Sequence, residues 1–362
     1  MRRHDKMKKI LVVDDSALMR RVLCDIINSD KRFQVQDRAV NGVEALDLLS
    51  RKTYDAVVLD VNMPQMNGLE LLKELNKRKI TAKVMMASTD TREGAKTTLD
   101  ALELGALDFV HKPNNAMDCR TDVFKDKLLS ILAAVADSNP APAGKAFSIE
   151  EAKTSRKVVE LVSRHASAVA GNKVVALASS TGGPKALQSV IPRLPKNLKA
   201  PVVVVQHMPA GFTASLAERL DSLSEIRVKE AAEGDVLEAG TVYIARGGKH
   251  LNIRTEMGRY SIYYTDQPTR EGVKPCANYM YESLRDSRYD QVVCVVMTGM
   301  GADGTEGIKH LKEKKKIHVI AQEASTCAVY GMPKSVVTAG LSNQIVPLDQ
   351  IAQEIIMNVG VK

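Results

Sequence analysis

No stretch of the sequence approaches the roughly 18 consecutive apolar residues that a bilayer-spanning helix needs, so insertion into a membrane is not expected. The N-terminus has basic residues but only a short apolar run ahead of two aspartates, too little for the core of a secretory signal, and the expected location is the cytoplasm. The five cysteines (Cys24, Cys119, Cys276, Cys294, Cys327) include no C-x-x-C pair, which removes the usual signature of a zinc or dithiol centre and leaves reduced thiols. Aromatic residues make up only 4% of the chain, and no helix-turn-helix or zinc-finger pattern is present. The net charge of +8 therefore does not point to nucleic acid. The densest basic run, Lys312 to Lys316, falls where a helix would end, and cations there suit the helix dipole as a solvated terminus.

What is present is alternation. A chain of 362 residues, 44% hydrophobic and 26% charged, is a soluble globular composition too long for one ordinary core, so two domains are expected. From about residue 8 to about 135 the apolar stretches KKILVV, AVVLD, KVMMAS and DFVHKP alternate with amphipathic helices. With the weaker FQVQDRA and VEALDLLS this makes five β-α units, the pattern of a doubly wound parallel sheet. The stretch DSNPAPAGKA cannot continue a helix and reads as a linker, followed at 147–170 by a polar amphipathic helix that belongs either to the linker or to the next domain. A second series (KVVALAS, PVVVVQH, VYIA, QVVCVVMTG, IHVIAQE) is again α/β with a largely parallel sheet. The expected division is a first domain at 1–136, a linker at 137–170 and a second domain at 171–362.

In an open parallel sheet, chemistry collects where the loops at the carboxyl ends of strands converge. Asp14 and Asp15 end the first strand, Asp60 the AVVLD strand, Ser88 the KVMMAS strand, and Lys112 the last before Pro113. Each alone has an ordinary explanation as a helix cap or a solvated lysine. Together, three crowded carboxylates call for a hard divalent cation with oxygen ligands, Mg²⁺. An aspartate nucleophile attacking a phosphoryl donor needs that metal, a cation and a hydroxyl, roles that Asp60, Lys112 and Ser88 fit.

In the second half Ser180 follows KVVALAS, His207 ends PVVVVQ, and Asp303 follows QVVCVVMTG. A serine nucleophile needs an imidazole base, and the imidazole a carboxylate to fix its tautomer. Small residues after Ser180 and the glycines around Met300 let backbone amides approach an oxyanion. Separately the three read as a strand end, a buried histidine and a helix cap. A rival is the dinucleotide fingerprint Gly299-x-Gly301-x-x-Gly304 with Glu323 about twenty residues on, although Asp303 would set a negative charge beside the pyrophosphate. A non-enzymatic, phosphorylation-dependent binding module is a further class; the complete Ser-His-Asp set argues against it.

Asp14-Asp15, Leu59-Asp60-Val61-Asn62-Met63-Pro64, Met86-Ala87-Ser88 and Phe109-Val110-His111-Lys112-Pro113 resemble the receiver domain of response regulators. The resemblance implies a flavodoxin-like fold in which Asp60 takes phosphate from a chemotaxis histidine kinase. Asp14, Asp15, Asp60 and the Asn62 carbonyl would hold Mg²⁺, with Ser88, Phe109 and Lys112 as the switch; Phe109 stands where some receivers carry tyrosine. Ala178-Ser179-Ser180-Thr181-Gly182-Gly183-Pro184, Gln206-His207-Met208-Pro209-Ala210-Gly211-Phe212, Thr298-Gly299-Met300-Gly301-Ala302-Asp303-Gly304 and the run from Gln322 to Pro333 resemble the CheB family of chemotaxis protein-glutamate methylesterases. This implies a Rossmann-like hydrolytic domain without a cofactor, in which Ser180 is the nucleophile, His207 the base and Asp303 its orienter, with the Thr181 and Met300 amides as oxyanion donors. Its substrates would be glutamate methyl esters on the cytoplasmic helices of methyl-accepting chemotaxis receptors, often with glutamine deamidation. The unphosphorylated receiver would withhold the Ser180 cleft. Arg246, Cys276 and Asn278 depart from the family pattern, where proline, serine and aspartate are usual; the expectation is that they touch no triad member and bear on receptor docking.

Overall fold

A computed structural model describes residues 7–89, 92–113, 118–138, 171–256 and 258–362. They fall in two compact units, one within 1–146 and one within 147–362. The proline-rich stretch from 139 and the helix expected at 147–170 lie outside the described residues.

In the first unit the apolar runs become β1 (Lys8–Val13), β2 (Phe33–Ala39), β3 (Ala56–Asp60), β4 (Val84–Thr89) and β5 (Asp108–Lys112). They pair in parallel in the order β2-β1-β3-β4-β5. β3 is buried along its whole length, as a central strand must be, whereas β2 alternates with exposed positions at the edge. Because side chains alternate across a strand, Ile10, Val12, Ala56, Val58, Met85 and Val110 share one face. They form a single core with α1 (Ala17–Asn28) and α5 (Asp122–Asp137). Between them α2 (Gly42–Arg51), α3 (Gly68–Lys77) and α4 (Arg92–Glu103) complete the five expected β-α units. The helices start where the carboxyl-end loops supply caps: Ser16 accepts from the Met19 amide, Asn41 from Glu44, and Asn67 and Glu70 cap each other reciprocally.

The second unit contains seven parallel strands in the order β14-β13-β12-β6-β7-β9-β8. These are β6 (Lys173–Ser179), β7 (Val202–Gln206), β8 (Arg227–Glu230), β9 (Thr241–Ile244), β12 (Gln291–Val296), β13 (Ile317–Gln322) and β14 (Gln344–Val346). An antiparallel hairpin, β10 (His250–Glu256) and β11 (Arg259–Thr265), stands apart from this sheet. The helices are α6 (Gly183–Val190), α7 (Phe212–Leu223), α8 (Ala277–Ser283), α9 (Thr305–Lys312), α10 (Met332–Thr338) and α11 (Ile351–Val359). Of this, the hairpin, β8 and β14 are additions to the sequence reading. β8 buries only Val228 fully and β14 is three residues long, so neither leaves an apolar run to notice.

Each sheet has one place where successive connections leave in opposite directions, and a crevice opens there at the carboxyl ends of the strands. In the first unit it lies between β1 and β3, and in the second between β6 and β12.

Candidate functional sites

In the second unit the strand register does the positioning. Ser179 pairs with Gln206, and Ala178 with Val296, so Ser180, His207 and the Thr298 loop follow the ends of three adjacent strands. The His207 amide donates to the Ser179 carbonyl at 3.1 Å and the Ser180 amide to the Thr298 carbonyl at 3.0 Å, carrying the pairing one step into the loops. Two buried carboxamides lock those loops. Gln206 accepts from the Ser179 hydroxyl and donates to the Ser180 carbonyl, and Gln322 accepts from the Thr298 amide.

His207 Nε2 lies 2.7 Å from Asp303 Oδ2, with both side chains largely buried. A buried carboxylate is costly unless it is bonded, and Asp303 is bonded on both oxygens. Oδ2 also accepts from the Ala277 amide at 2.6 Å, and Oδ1 accepts from the Asn278 amide at 2.9 Å and the Cys276 thiol at 3.0 Å. Burial alone would push Asp303 up; the hydrogen bond from His207 and its charge, with Cys276 and Ala277, bring it below the ordinary carboxylate value. Since a carboxylate only accepts, Nε2 carries the proton and Nδ1 is the basic nitrogen. Ser180 is half-buried and, among the described residues, its hydroxyl makes no hydrogen bond to the ring. Gly299 is packed over it: a Cβ there would come 2.7 Å from Ser180 Cβ and 2.4 Å from Met332 Sδ, so only glycine fits. Thr181 is buried, whereas Met300 opposite is exposed.

In the first unit Asp14 and Asp60 are buried and Asp15 is exposed, and one oxygen from each lies within 4.8 Å of the others. Lys112 Nζ bonds Asp60 Oδ1 at 2.6 Å and Asp14 Oδ2 at 3.0 Å. Burial pushes Asp60 up against the opposing pull of Lys112; Lys112, which burial would lower, is carried up by Asp60 and Asp14. An all-oxygen donor set of this spacing fits Mg²⁺. Asn62 is exposed directly after Val61, Phe109 is buried, and Ser88 is buried with its hydroxyl 3.5 Å from the Gly94 carbonyl. Ser88 stands one residue short of the Thr89 that pairs with Lys112.

The CheB methylesterase family model matches residues 175–355, and the response regulator receiver domain model matches residues 10–123. A protein-glutamate methylesterase/protein-glutamine glutaminase of Geobacillus kaustophilus is 42% identical over 97% of this chain and 99% of its own. The chain belongs to the CheB methylesterase family. A Bacillus subtilis protein of the same description is 39% identical over 96% of this chain and 98% of its own. The crystal structure of the Thermotoga maritima CheB methylesterase catalytic domain superposes with a TM-score of 0.50 at 42% identity, over 52% of this chain and 98% of that one. The expected flavodoxin-like receiver followed by a mostly parallel α/β domain is thus the architecture of this CheB-family chain. Among the described residues no helix is long and apolar enough to cross a membrane.

One expectation is overturned. Cys276 and Asn278 do touch Asp303, because the segment entering α8 wraps the carboxylate. Arg246 is exposed, and its amide donates to Tyr264 Oη at 2.9 Å. Gln206 and Gln322 carried no role in the sequence reading. Their signal was a carboxamide closing a run of buried apolar residues, Val202 to Val205 in β7 and Val319 to Ala321 in β13, where a buried polar group must have partners. The dinucleotide reading loses its anion cradle, since the Gly304 and Gly307 amides at the start of α9 both donate to Asn278 Oδ1.

Proposed function

We propose that this chain hydrolyses glutamate methyl esters on the cytoplasmic helices of chemotaxis receptors, deamidates glutamines there, and is switched on by phosphorylation at Asp60. The observation that carries the reading is the 2.7 Å His207–Asp303 pair at the end of the strand next to Ser180. In this reading Ser180 Oγ attacks the ester carbonyl and passes its proton to His207 Nδ1. The tetrahedral oxyanion meets the amides of Thr181 and Met300, and collapse expels methanol, which takes the proton from Nδ1. Water then attacks the glutamyl-Ser180 ester with the same base and releases the glutamate carboxylate. With a glutamine substrate the first leaving group is ammonia. Asp303 keeps the proton on Nε2 throughout and faces the imidazolium when it forms. The ring nitrogens are exchanged relative to the serine-protease arrangement, where the carboxylate takes Nδ1.

In the receiver, residues 1–136 in this reading, Asp60 accepts the phosphoryl group from a histidine kinase and Lys112 is poised on the Asp60 carboxylate. Asp14, Asp15, Asp60 and the Asn62 carbonyl would hold Mg²⁺, which when bound would supply the positive charge that lets three carboxylates meet a phosphate. Ser88 and Phe109 register the new group. Residues 137–170 link this change to the hydrolase at 171–362.

The test is methanol release from methylated receptor membranes, with and without acetyl phosphate. Release by the wild type, stimulation that is lost in Asp60→Ala, and no release by Ser180→Ala are expected. Equal rates for wild type and Ser180→Ala would remove the serine from the reaction, and no release from either would leave a binding module.

A further inference from the structure

We propose that Cys276 and Asn278 are positioning residues that hold the Asp303 carboxylate in register with His207, an inference that rests on the triad reading above. Asp303 sits in a loop between β12 and α9 flanked by Gly301 and Gly304, both at positive φ (83° and 96°), so its own backbone does little to fix the side chain. The restraint comes from across the crevice. Three consecutive residues, Cys276, Ala277 and Asn278, each send one donor to Asp303, two to Oδ1 and one to Oδ2. That pattern fixes the plane of the carboxylate and keeps one of its oxygens on the imidazole, because tilting the group out of that plane would break all three bonds.

The two side chains act differently. The Cys276 thiol is fully buried, and burial together with the neighbouring Asp303 charge keeps it protonated, so it stays a donor. Asn278, also fully buried, grips the loop that carries Asp303: its Oδ1 accepts from the Gly304 amide at 3.0 Å and the Gly307 amide at 2.7 Å. Its Nδ2 donates to Glu271 Oε1 at 2.9 Å, tying the same residue to the preceding loop. The fit is close, since a Cβ on Gly307 would lie 2.7 Å from Asn278 Cα. Thus one residue restrains both the carboxylate and the backbone behind it.

Neither residue meets the ester, so their loss should lower turnover without weakening substrate binding. In steady-state methanol release by the full chain with acetyl phosphate, Cys276→Ala is expected to lower kcat about tenfold with KM unchanged within about twofold, and Cys276→Ser to restore it, since a hydroxyl donates where a methyl cannot. Asn278→Ala should lower kcat further, about a hundredfold, and Asn278→Asp, which still accepts from both glycine amides but sets a carboxylate against Glu271, should regain most of that when combined with Glu271→Gln. Cys276→Val supplies apolar volume without a donor and stands in if the alanine variant does not fold. A Cys276→Ala or Cys276→Val enzyme with wild-type kcat, or a loss that serine does not restore at unchanged melting temperature, overturns the proposal. Release that survives in Ser180→Ala refutes the triad reading itself, whereas inactive Ser180→Ala beside fully active Cys276→Ala refutes only the positioning role.

Discussion

Replacing Asp303 by asparagine keeps the shape of the side chain and removes one charge, so its effect can be worked from the site. At the 2.7 Å separation of Asp303 Oδ2 and His207 Nε2, full unit charges at an effective dielectric of about 20 attract by about 6 kcal/mol. That interaction exists only when the imidazole is protonated, in the transition states, so its loss falls on turnover. At about 1.4 kcal/mol per decade, roughly 10⁴-fold is the ceiling. The hydrogen bonds act in the same direction. Each Asp303 oxygen accepts two donors, His207 and Ala277 on Oδ2, Cys276 and Asn278 on Oδ1. Whichever place the new amide group takes, it opposes donors; on the Oδ2 side it would drive the imidazole proton onto Nδ1 and abolish the base. The expected result, in methanol release from methylated receptor membranes with a phosphodonor, is kcat lowered on the order of 10³–10⁴-fold with KM nearly unchanged. A variant of normal melting temperature that keeps kcat within about tenfold of wild type would refute the reasoning.

Asp60→Asn should stabilise the first unit when a chelator is present. Burial raises the folded-state pKa of Asp60, so its stabilising contribution is present below the ordinary carboxylate value of about 4 and is lost as the pH rises through the folded value. At pH 7 the charged form therefore costs stability, and removing it should raise the melting temperature. A lower melting temperature in the variant would contradict that sign. Gly299→Ala drives a methyl between Ser180 Cβ and Met332 Sδ. It should cost at least about a hundredfold in kcat while acetyl phosphate still labels Asp60; an active Gly299→Ala enzyme would show that this loop has room to spare.

The two parallel sheets were legible because their central strands are unbroken apolar runs, as in β3 and β7, bounded by capping and turn residues. The residues gathered at each crevice were legible for a related reason. Asp14, Asp60, Ser180, His207 and Asp303 are polar groups at the ends of apolar strands or in the loops just beyond, where side chains from distant segments converge. What escaped notice lacks such a marker. The hold of Cys276 and Asn278 on Asp303 is of that kind: the two residues cap and open α8 just after Lys274-Pro275, and long-range packing of α8 against α9 brings them to the carboxylate, which no local period encodes. β10 and β11 pair with each other outside the seven-stranded sheet, and their alternation is blurred by Tyr260, Tyr263 and Tyr264, which pack at intermediate depth beside the exposed Arg254 and Arg259.

The steps between β7, β6 and β12 have one further consequence. Side chains change face at every residue, so a slip of one position in either pairing would turn Ser180 or His207 away from the crevice altogether. The strands themselves therefore offer no graded setting of these two side chains, and any finer adjustment falls to the loops beyond them, such as the one that carries Asp303.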